Sequence, residues 1–149
     1  MIINCTTQDI AIYNIFDCKK FHEHLFLNKD NGYPEPLHVY SAADKPVRVK
    51  FVVRKTNDTV DGYPVDEEYV NPEVIDLPKP KSGTYYIVPK MVAQVLPDRE
   101  DLIFPGTIVY GTPTGSKWIN PDNYVLGCIG FSRIMGEFHM GLGDCHFFL

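Results

Sequence analysis

The sequence predicts a mainly β fold of the α+β type, a single antiparallel sheet or small barrel with one or two short helices. Three observations predict it. Apolar residues fall in short β-branched or aromatic runs bounded by Pro, Gly, Asn or Asp. Aromatic residues reach 13%, mostly nine Tyr and nine Phe, which suit half-buried sheet surfaces. A helical apolar face shows in only one or two places. With 149 residues, 44% of them hydrophobic and 22% charged, the chain can build one core but not two ordinary ones. Residues 1–149 are therefore expected to form a single globular domain.

Met1-Ile2-Ile3 and Ile10-Ala11-Ile12-Tyr13 flank the polar turn Thr6-Thr7-Gln8-Asp9, the pattern of a hairpin. Between Phe16 and Leu27 two readings stay open. Asp17 could cap a short helix with Phe21 and Leu25 on one face, the reading favoured here, or His22 to Leu27 could pair as a strand. Asn28-Lys29-Asp30-Asn31-Gly32 is a turn, and Tyr33 to Asp44, with Pro34 and Pro36, reads as extended or looped. Val47 to Arg54 alternates most clearly. Val47, Val49, Phe51 and Val53 share one face, and Arg48, Lys50, Val52 and Arg54 the other. Asn57 to Gly62 turns the chain. Tyr63 to Val70 is acidic and reads as an edge or loop, because Pro64 and Pro72 lack ladder donors. Leu77 to Gly83 is a proline-stiffened approach to a strand over Thr84–Val88. Pro89 then sits where a first helical turn tolerates it. Met91, Val92, Val95 and Leu96 make a helical apolar face, and Pro97 ends it. Ile108–Tyr110 and Tyr124–Ser132 read as strands joined by the long polar connection Gly111 to Asn123. About seven short strands are expected in all.

The formal net charge is −5. A duplex binder draws much of its affinity from neutralising phosphates, and the chain has no Lys/Arg cluster beyond short pieces such as Arg48, Lys50, Arg54 and Lys55. General nucleic-acid binding is therefore not expected. One phosphate is a smaller demand, which two or three placed cations can meet. Cys5, Cys18, Cys128 and Cys145 could form two disulfides. The opening Met1-Ile2-Ile3-Asn4-Cys5 lacks the basic and apolar regions of a secretion signal, however. No run approaches the roughly 18 apolar residues of a membrane helix. The expectation is a cytoplasmic protein with reduced thiols and no membrane contact.

Catalytic and cofactor motifs fail one by one. Gly111-Thr112-Pro113-Thr114-Gly115-Ser116-Lys117 superficially suggests a phosphate loop, but Ser precedes Lys and no helix follows. Cys18, His22 and His24 lie close in sequence, as do His139, Cys145 and His146. No Cys-x-x-Cys pair exists, though, and neighbours such as Cys145-His146 diverge on a strand, so no zinc site is assigned. There is no Gly-x-Ser-x-Gly elbow. Glu67-Glu68 and Glu100-Asp101 read as solvated faces, since adjacent carboxylates point apart. No catalytic residue, metal or cofactor is assigned, and a binding role is favoured over an enzymatic one.

Gly83 to Arg133 is the most informative stretch. A strand delivers the chain into a short helix whose free N–H groups lie near Lys90, a natural anion site. Pro97 stops the helix, Asp98-Arg99-Glu100-Asp101 follows as a loop, and Pro105-Gly106 turns. A structural reading stands beside the functional one: a packed βαβ-like corner with Arg99 held by Glu100, Asp101 or helix-end carbonyls. The stretch carries Gly83-Thr84-Tyr85-Tyr86-Ile87-Val88, Met91-Val92-Ala93, Arg99-Glu100-Asp101-Leu102, Pro105-Gly106 and, close to its end, Gly127-Cys128-Ile129-Gly130-Phe131. They resemble a family of small phage- and prophage-encoded proteins, most without assigned activity. That family shares a Gly-Thr-x-Tyr-Ile-Val-Ser, x-x-Val-Ala, Arg-x-Asp-Leu, Pro-Gly and Gly-Cys-x-x-Phe pattern. Val47-Arg48-Val49 answers its Ala-Arg-Val, and Ile2-Ile3-Asn4-Cys5-Thr6 its Ile-Asn-Leu-Thr-Pro-His opening. The family's His is absent after Thr6, and Val109-Tyr110-Gly111 stands for its Val-Arg-Asp. The Thr112–Asn123 loop and the tail beyond Arg133 are additions, so no role of the missing residues is carried over.

The resemblance implies a phage protein acting in the host cytoplasm. The expected function, by analogy with small phage proteins, is non-enzymatic sequestration of a small anionic nucleotide signal of host defence. Arg48, Arg54, Lys90, Arg99 and Arg133 would hold its phosphate, and an aromatic ring such as Tyr86 would stack its base. One alternative is a protein-interaction module, a host-protein inhibitor or virion-associated protein. It would present the acidic stretch Asp61 to Asp76 with Tyr63 and Tyr69. The apolar tail Phe138 to Leu149 would then dock on its own chain or on a neighbouring subunit of a homo-oligomer. The other alternative is a metal-dependent enzyme.

Overall fold

The structure is a computed structural model and describes residues 1–27, 34–51, 53–68, 72–111 and 125–135. Because the apolar runs are three to five residues long, they form short strands. In chain order these are β1 (Ile2–Asn4), β2 (Ile10–Ile12), β3 (Cys18–Phe21), β4 (His24–Leu27), β5 (His38–Tyr40), β6 (Arg48–Lys50) and β7 (Val53–Val60). After them come β8 (Tyr63–Glu68), β9 (Glu73–Ile75), β10 (Tyr85–Ile87), β11 (Leu102–Pro105), β12 (Ile108–Tyr110), β13 (Val125–Cys128) and β14 (Phe131–Ser132). The α-helix, α1 (Lys90–Val95), lies between β10 and β11. The fold is mainly β with one short helix, as expected, and none of the sheets closes. The strands are divided among four sheets, and the two larger ones mix parallel with antiparallel pairs.

The four-stranded sheet has the order β1-β10-β11-β14. β1, β10 and β11 run parallel, and β14 runs against β11. Parallel neighbours need a long crossover, and α1 supplies it between β10 and β11, forming the βαβ-like corner. Pro89, at φ −57°, delivers the chain into α1 without a side-chain cap. Val92 and Ala93 face the sheet and are buried with Cys5, Val47, Tyr86, Val88, Leu102 and Phe104. Ile87 and Ile103 point to the opposite face by alternation and are buried too. A strand covered on both faces reads as a continuous apolar run, which is why Leu102-Ile103-Phe104 carries no period-two signature.

The six-stranded sheet has the order β3-β4-β12-β13-β2-β5. Here Phe16 to Leu27 departs from the favoured helix. Ile15–Asp17 is a single 3₁₀ turn, capped by Asn14 Oδ1 accepting from Phe16 N at 3.0 Å. β3 and β4 then form a hairpin through His22 and Glu23, at φ 48° and 66°. The strand alternative wins because Leu25 and Phe26 pair with Val109 and Tyr110, far off in sequence. Met1 to Tyr13 is not a hairpin either, since β1 pairs with β10 while β2 pairs with β5 and β13. The turn between them bridges two sheets.

The expected Val47–Arg54 strand splits in two. β6 pairs with β9, and Val49 and Val74 pack on the core beside Val47. β7 pairs with β8 in a longer hairpin that continues to Val60 and turns at Asp61-Gly62, with φ 51° and 83°. Both central residues at positive φ make the primed turn that matches strand twist, and Gly62 adopts it without strain. Of this arm's fourteen strand residues only Thr56 and Val65 are even half-buried. Arg54–Glu67, Lys55–Asp66 at 3.0 Å and the Thr56 hydroxyl donating to the Val65 carbonyl fix its register. Most of the Gly111–Asn123 connection, Tyr69 and the apolar tail lie outside the described residues.

Candidate functional site

The expected anion-holding residues do not form one constellation. Arg48, on β6, is exposed and lies 3.9 Å from Asp76, which also meets Lys45 at 3.4 Å. Arg54, on the arm, is paired with Glu67. Arg99 is paired with Asp101. Each guanidinium thus has its own carboxylate on a different element, and a paired cation has little charge left to offer a ligand. Tyr86 is buried at 3% exposure, so its ring cannot stack a base. Arg133 is exposed just beyond β14.

Arg99 and Tyr86 share a structural role that the sequence does not advertise. Arg99 donates from Nε and Nη2 to both carboxylate oxygens of Asp101, at 2.7 and 2.8 Å. Nη2 also donates to the Pro78 carbonyl at 3.1 Å, and the Tyr86 hydroxyl donates to the Lys79 carbonyl at 3.2 Å. Together they pin the proline-stiffened Leu77–Lys81 segment over the core. The hydrogen bonds from Arg99 hold the Asp101 carboxyl below its ordinary value of 3.8, and burial opposes them in part. A depressed folded pKa means that the unfolded chain binds the proton more readily. This stabilisation is therefore complete above the ordinary value and is lost as pH falls through the lowered one. Asp101→Asn is expected to cost about 1–2 kcal/mol at pH 7 and less at pH 3, below the ordinary value, read from urea midpoints at both. An equal loss at both pH values would show that charge is not the cause.

A cleft lined by described residues lies elsewhere. It measures about 460 Å³ and sits at the carboxyl ends of β1, β10 and β11. Thr6, Thr7 and Gln8 enter it after β1, Val88, Pro89 and Lys90 after β10, and Phe104, Pro105 and Gly106 at the end of β11. Ile10 and Ser132 complete the wall. In open parallel sheets this is the edge at which ligands bind, because strand ends and their loops converge there. One wall is apolar, made by Ile10, Val88, Pro89, Phe104 and Pro105, and the rim carries hydroxyl, amide and ammonium groups. Lys90 Nζ stands 5.9 Å from the Phe104 ring centroid. Unlike the three arginines above, it has no carboxylate partner among the described residues. The six-residue α1 is too short to add much dipole, so the ammonium, and not the helix end, is the source of positive charge here.

The turn in this wall is preorganised by buried Asn4. Its Nδ2 donates to the carbonyls of Gln8 at 2.8 Å and Tyr40 at 3.0 Å. Its Oδ1 accepts from Thr6 N at 2.9 Å and from the Thr6 hydroxyl at 2.7 Å. The Thr6 hydroxyl is spent inside the turn, which leaves Thr7, Gln8 and Ser132 as neutral groups for a ligand. Of the expected residues only Lys90 reaches the cleft. Asn4, Thr7, Gln8 and Ser132 were missed, although the polar Thr-Thr-Gln turn after an apolar run was a signal that could have pointed to them.

Among the described residues no three His, Cys, Asp or Glu side chains converge on one point. Cys18 and His24 lie at opposite ends of the β3–β4 hairpin, since Cys18 pairs with Leu27 and His24 with Phe21. Burial pushes the Cys5 and Cys128 thiols up, so both stay protonated and poorly nucleophilic. No helix among the described residues is long and apolar enough to cross a membrane. Comparison with protein-family models, curated proteins and solved structures finds no match.

Proposed function

We propose that the protein is a non-enzymatic binder of a small anionic ligand of the nucleotide type, and that the ligand sits in the cleft at the carboxyl ends of β1, β10 and β11. One observation carries the reading: an ammonium, Lys90, with no carboxylate partner among the described residues, beside apolar side chains in a cleft of ligand size. The anionic group meets Lys90 and the rim, and the base or sugar packs against the apolar wall. The Arg48–Arg54–Arg99 clamp has no part in it. With the sequence resemblance to phage-encoded proteins, sequestration of a host nucleotide signal is the use proposed for such a site. A thermal-shift titration with mononucleotides is expected to raise the melting temperature by several degrees at high micromolar concentration. No shift with any nucleotide would end the reading.

A second reading, a protein-interaction module, is favoured by the β7–β8 arm. Val60 and Tyr63, paired across its tip, are 63% and 73% exposed. An aromatic tip beside Asp58 and Asp61 suits docking to a basic protein surface. Under this reading Tyr63→Ser abolishes capture of the protein's partner from host lysate. Under the cleft reading it leaves nucleotide-induced stabilisation unchanged.

A further inference from the structure

Lys90 is the one ionisable side chain among the described residues lining the cleft, and every other polar group there is neutral. Among the described residues no arginine lines it: Arg133 follows Ser132 but is not part of the lining, and Arg48, Arg54 and Arg99 stand beside Asp76, Glu67 and Asp101 on other parts of the fold. The chain as a whole is negative, at −5, so its background field adds repulsion to any charge beyond the one Lys90 balances. The apolar wall begins beside the ammonium, with Phe104 under Lys90, so further phosphates would be pushed against Ile10, Val88 and Pro105. An unpaired charge against apolar surface is costly.

From this balance we infer that the ligand bears one negative charge, a phosphodiester joined to a base-sized apolar body, and that nucleoside mono-, di- and triphosphates are selected against. The inference rests on the proposed ligand-binding reading and concerns the same cleft. The diester's single charge is met by Lys90, and its oxygens accept from Thr7, Gln8 and Ser132. A terminal phosphomonoester carries nearly two charges at neutral pH, since its second pKa is about 6. A triphosphate carries still more, with nothing in the cleft to balance the excess.

Calorimetric titration of the whole protein with adenosine 3′,5′-cyclic monophosphate, AMP, ATP and inorganic phosphate tests this. The cyclic diester is expected to bind at least about tenfold more tightly than AMP at pH 7.5, with ATP weaker still. At pH 5.5, where AMP is largely monoanionic, the gap should close to about threefold or less. Lys90→Gln should weaken the cyclic diester about tenfold and leave little preference between it and AMP, while Lys90→Arg restores both. Circular dichroism of the Lys90 variants should match the unsubstituted protein, because this side chain is exposed. AMP or ATP binding as tightly as the diester at pH 7.5 would overturn the single-charge inference and leave the cleft reading standing. If no nucleotide binds, the cleft reading fails and this inference with it. Inorganic phosphate binding as tightly as the diester would also overturn it, since the apolar wall would then contribute nothing.

Discussion

Gly127→Ala is expected to cost about 3 kcal/mol or more, which for a chain of this size approaches loss of the fold. A Cβ at Gly127 would lie 2.2 Å from the Ala11 carbonyl oxygen and 3.0 Å from both the Ala11 carbonyl carbon and Tyr13 Cε2. Two of those atoms are backbone, so no rotamer change relieves the clash. β2 must move away from β13. That motion breaks the Cys128–Ile12 pairing and the hydrogen bond from Tyr13 N to the Cys128 carbonyl at 2.9 Å. β5 goes with it, because it joins the sheet only through β2. Gly130→Ala is the control. Its Cβ would meet nothing within 4 Å, so a change under about 0.5 kcal/mol is expected. Urea midpoints of both variants decide the matter, and a Gly127→Ala midpoint equal to that of Gly130→Ala would mean that the two strands are not so close.

Gly127 also marks where the fold was and was not legible in the sequence. Local signals decide the outcome at the strand–helix corner, though not at Met1–Tyr13 or Phe16–Leu27. The Thr84–Val88 strand, the Pro89 entry and the Pro97 stop produced β10 and α1 as expected. The residues behind the family resemblance turn out to be largely core, with Tyr86, Ile87, Val88, Val92, Ala93 and Leu102 all buried. Their pattern reports the packing of a corner, and Val88, Pro105 and Gly106 among them line the cleft. What escaped was partner choice. Nothing local says that Ile2–Asn4 pairs with Tyr85–Ile87, or that Leu25 and Phe26 pair with Val109 and Tyr110. The apparent helix over Phe16–Leu27 fails for the same reason, because distant pairing outweighs a weak 3.6-residue spacing. At Val49–Val53 the alternation was real, yet one half packs on the core and the other leaves it. A binary pattern has no means of showing that a strand changes partners midway.

The site was less legible than the fold, and for an electrostatic reason. Sequence shows which cations exist but not which carboxylates they meet. Arg99 and Asp101 are two residues apart and could be suspected of pairing. Arg48 with Asp76 and Arg54 with Glu67 depend on strand register. Once those pairs form, Lys90 is left as the charge of interest and the cleft is defined by neutral groups. Thr7, Gln8 and Ser132 come from a turn and a two-residue strand, and the parallel run of β1, β10 and β11, with β14 antiparallel beside β11, brings them to one edge.

Asn4→Ala is expected to cost about 3 kcal/mol and to weaken ligand binding beyond what lost stability explains. Asn4 is 6% exposed and uses both donors and both acceptor positions. Truncation takes the amide donor from the part-buried Tyr40 carbonyl and the acceptor from the Thr6 N–H, and leaves the Gln8 carbonyl with the Thr6 hydroxyl. It also unties β1 from β5, since the Tyr40 contact crosses between the two sheets. Asn4→Asp should be no better. A carboxylate can still accept from Thr6, but it would face two carbonyl oxygens where an amide donated. The informative comparison is with Leu27→Ala, a cavity variant in the other sheet at a residue 2% exposed, expected to cost about as much. Both variants can be titrated with cyclic mononucleotide at a temperature where each is more than nine-tenths folded. Leu27→Ala should retain the unsubstituted protein's affinity, because its cavity is remote from the cleft. Asn4→Ala should lose about fivefold to tenfold, because Thr7 and Gln8 must then be ordered at the expense of binding. Equal affinities for the two variants would mean that the turn is held by its backbone alone, and that Asn4 joins the sheets without shaping the site.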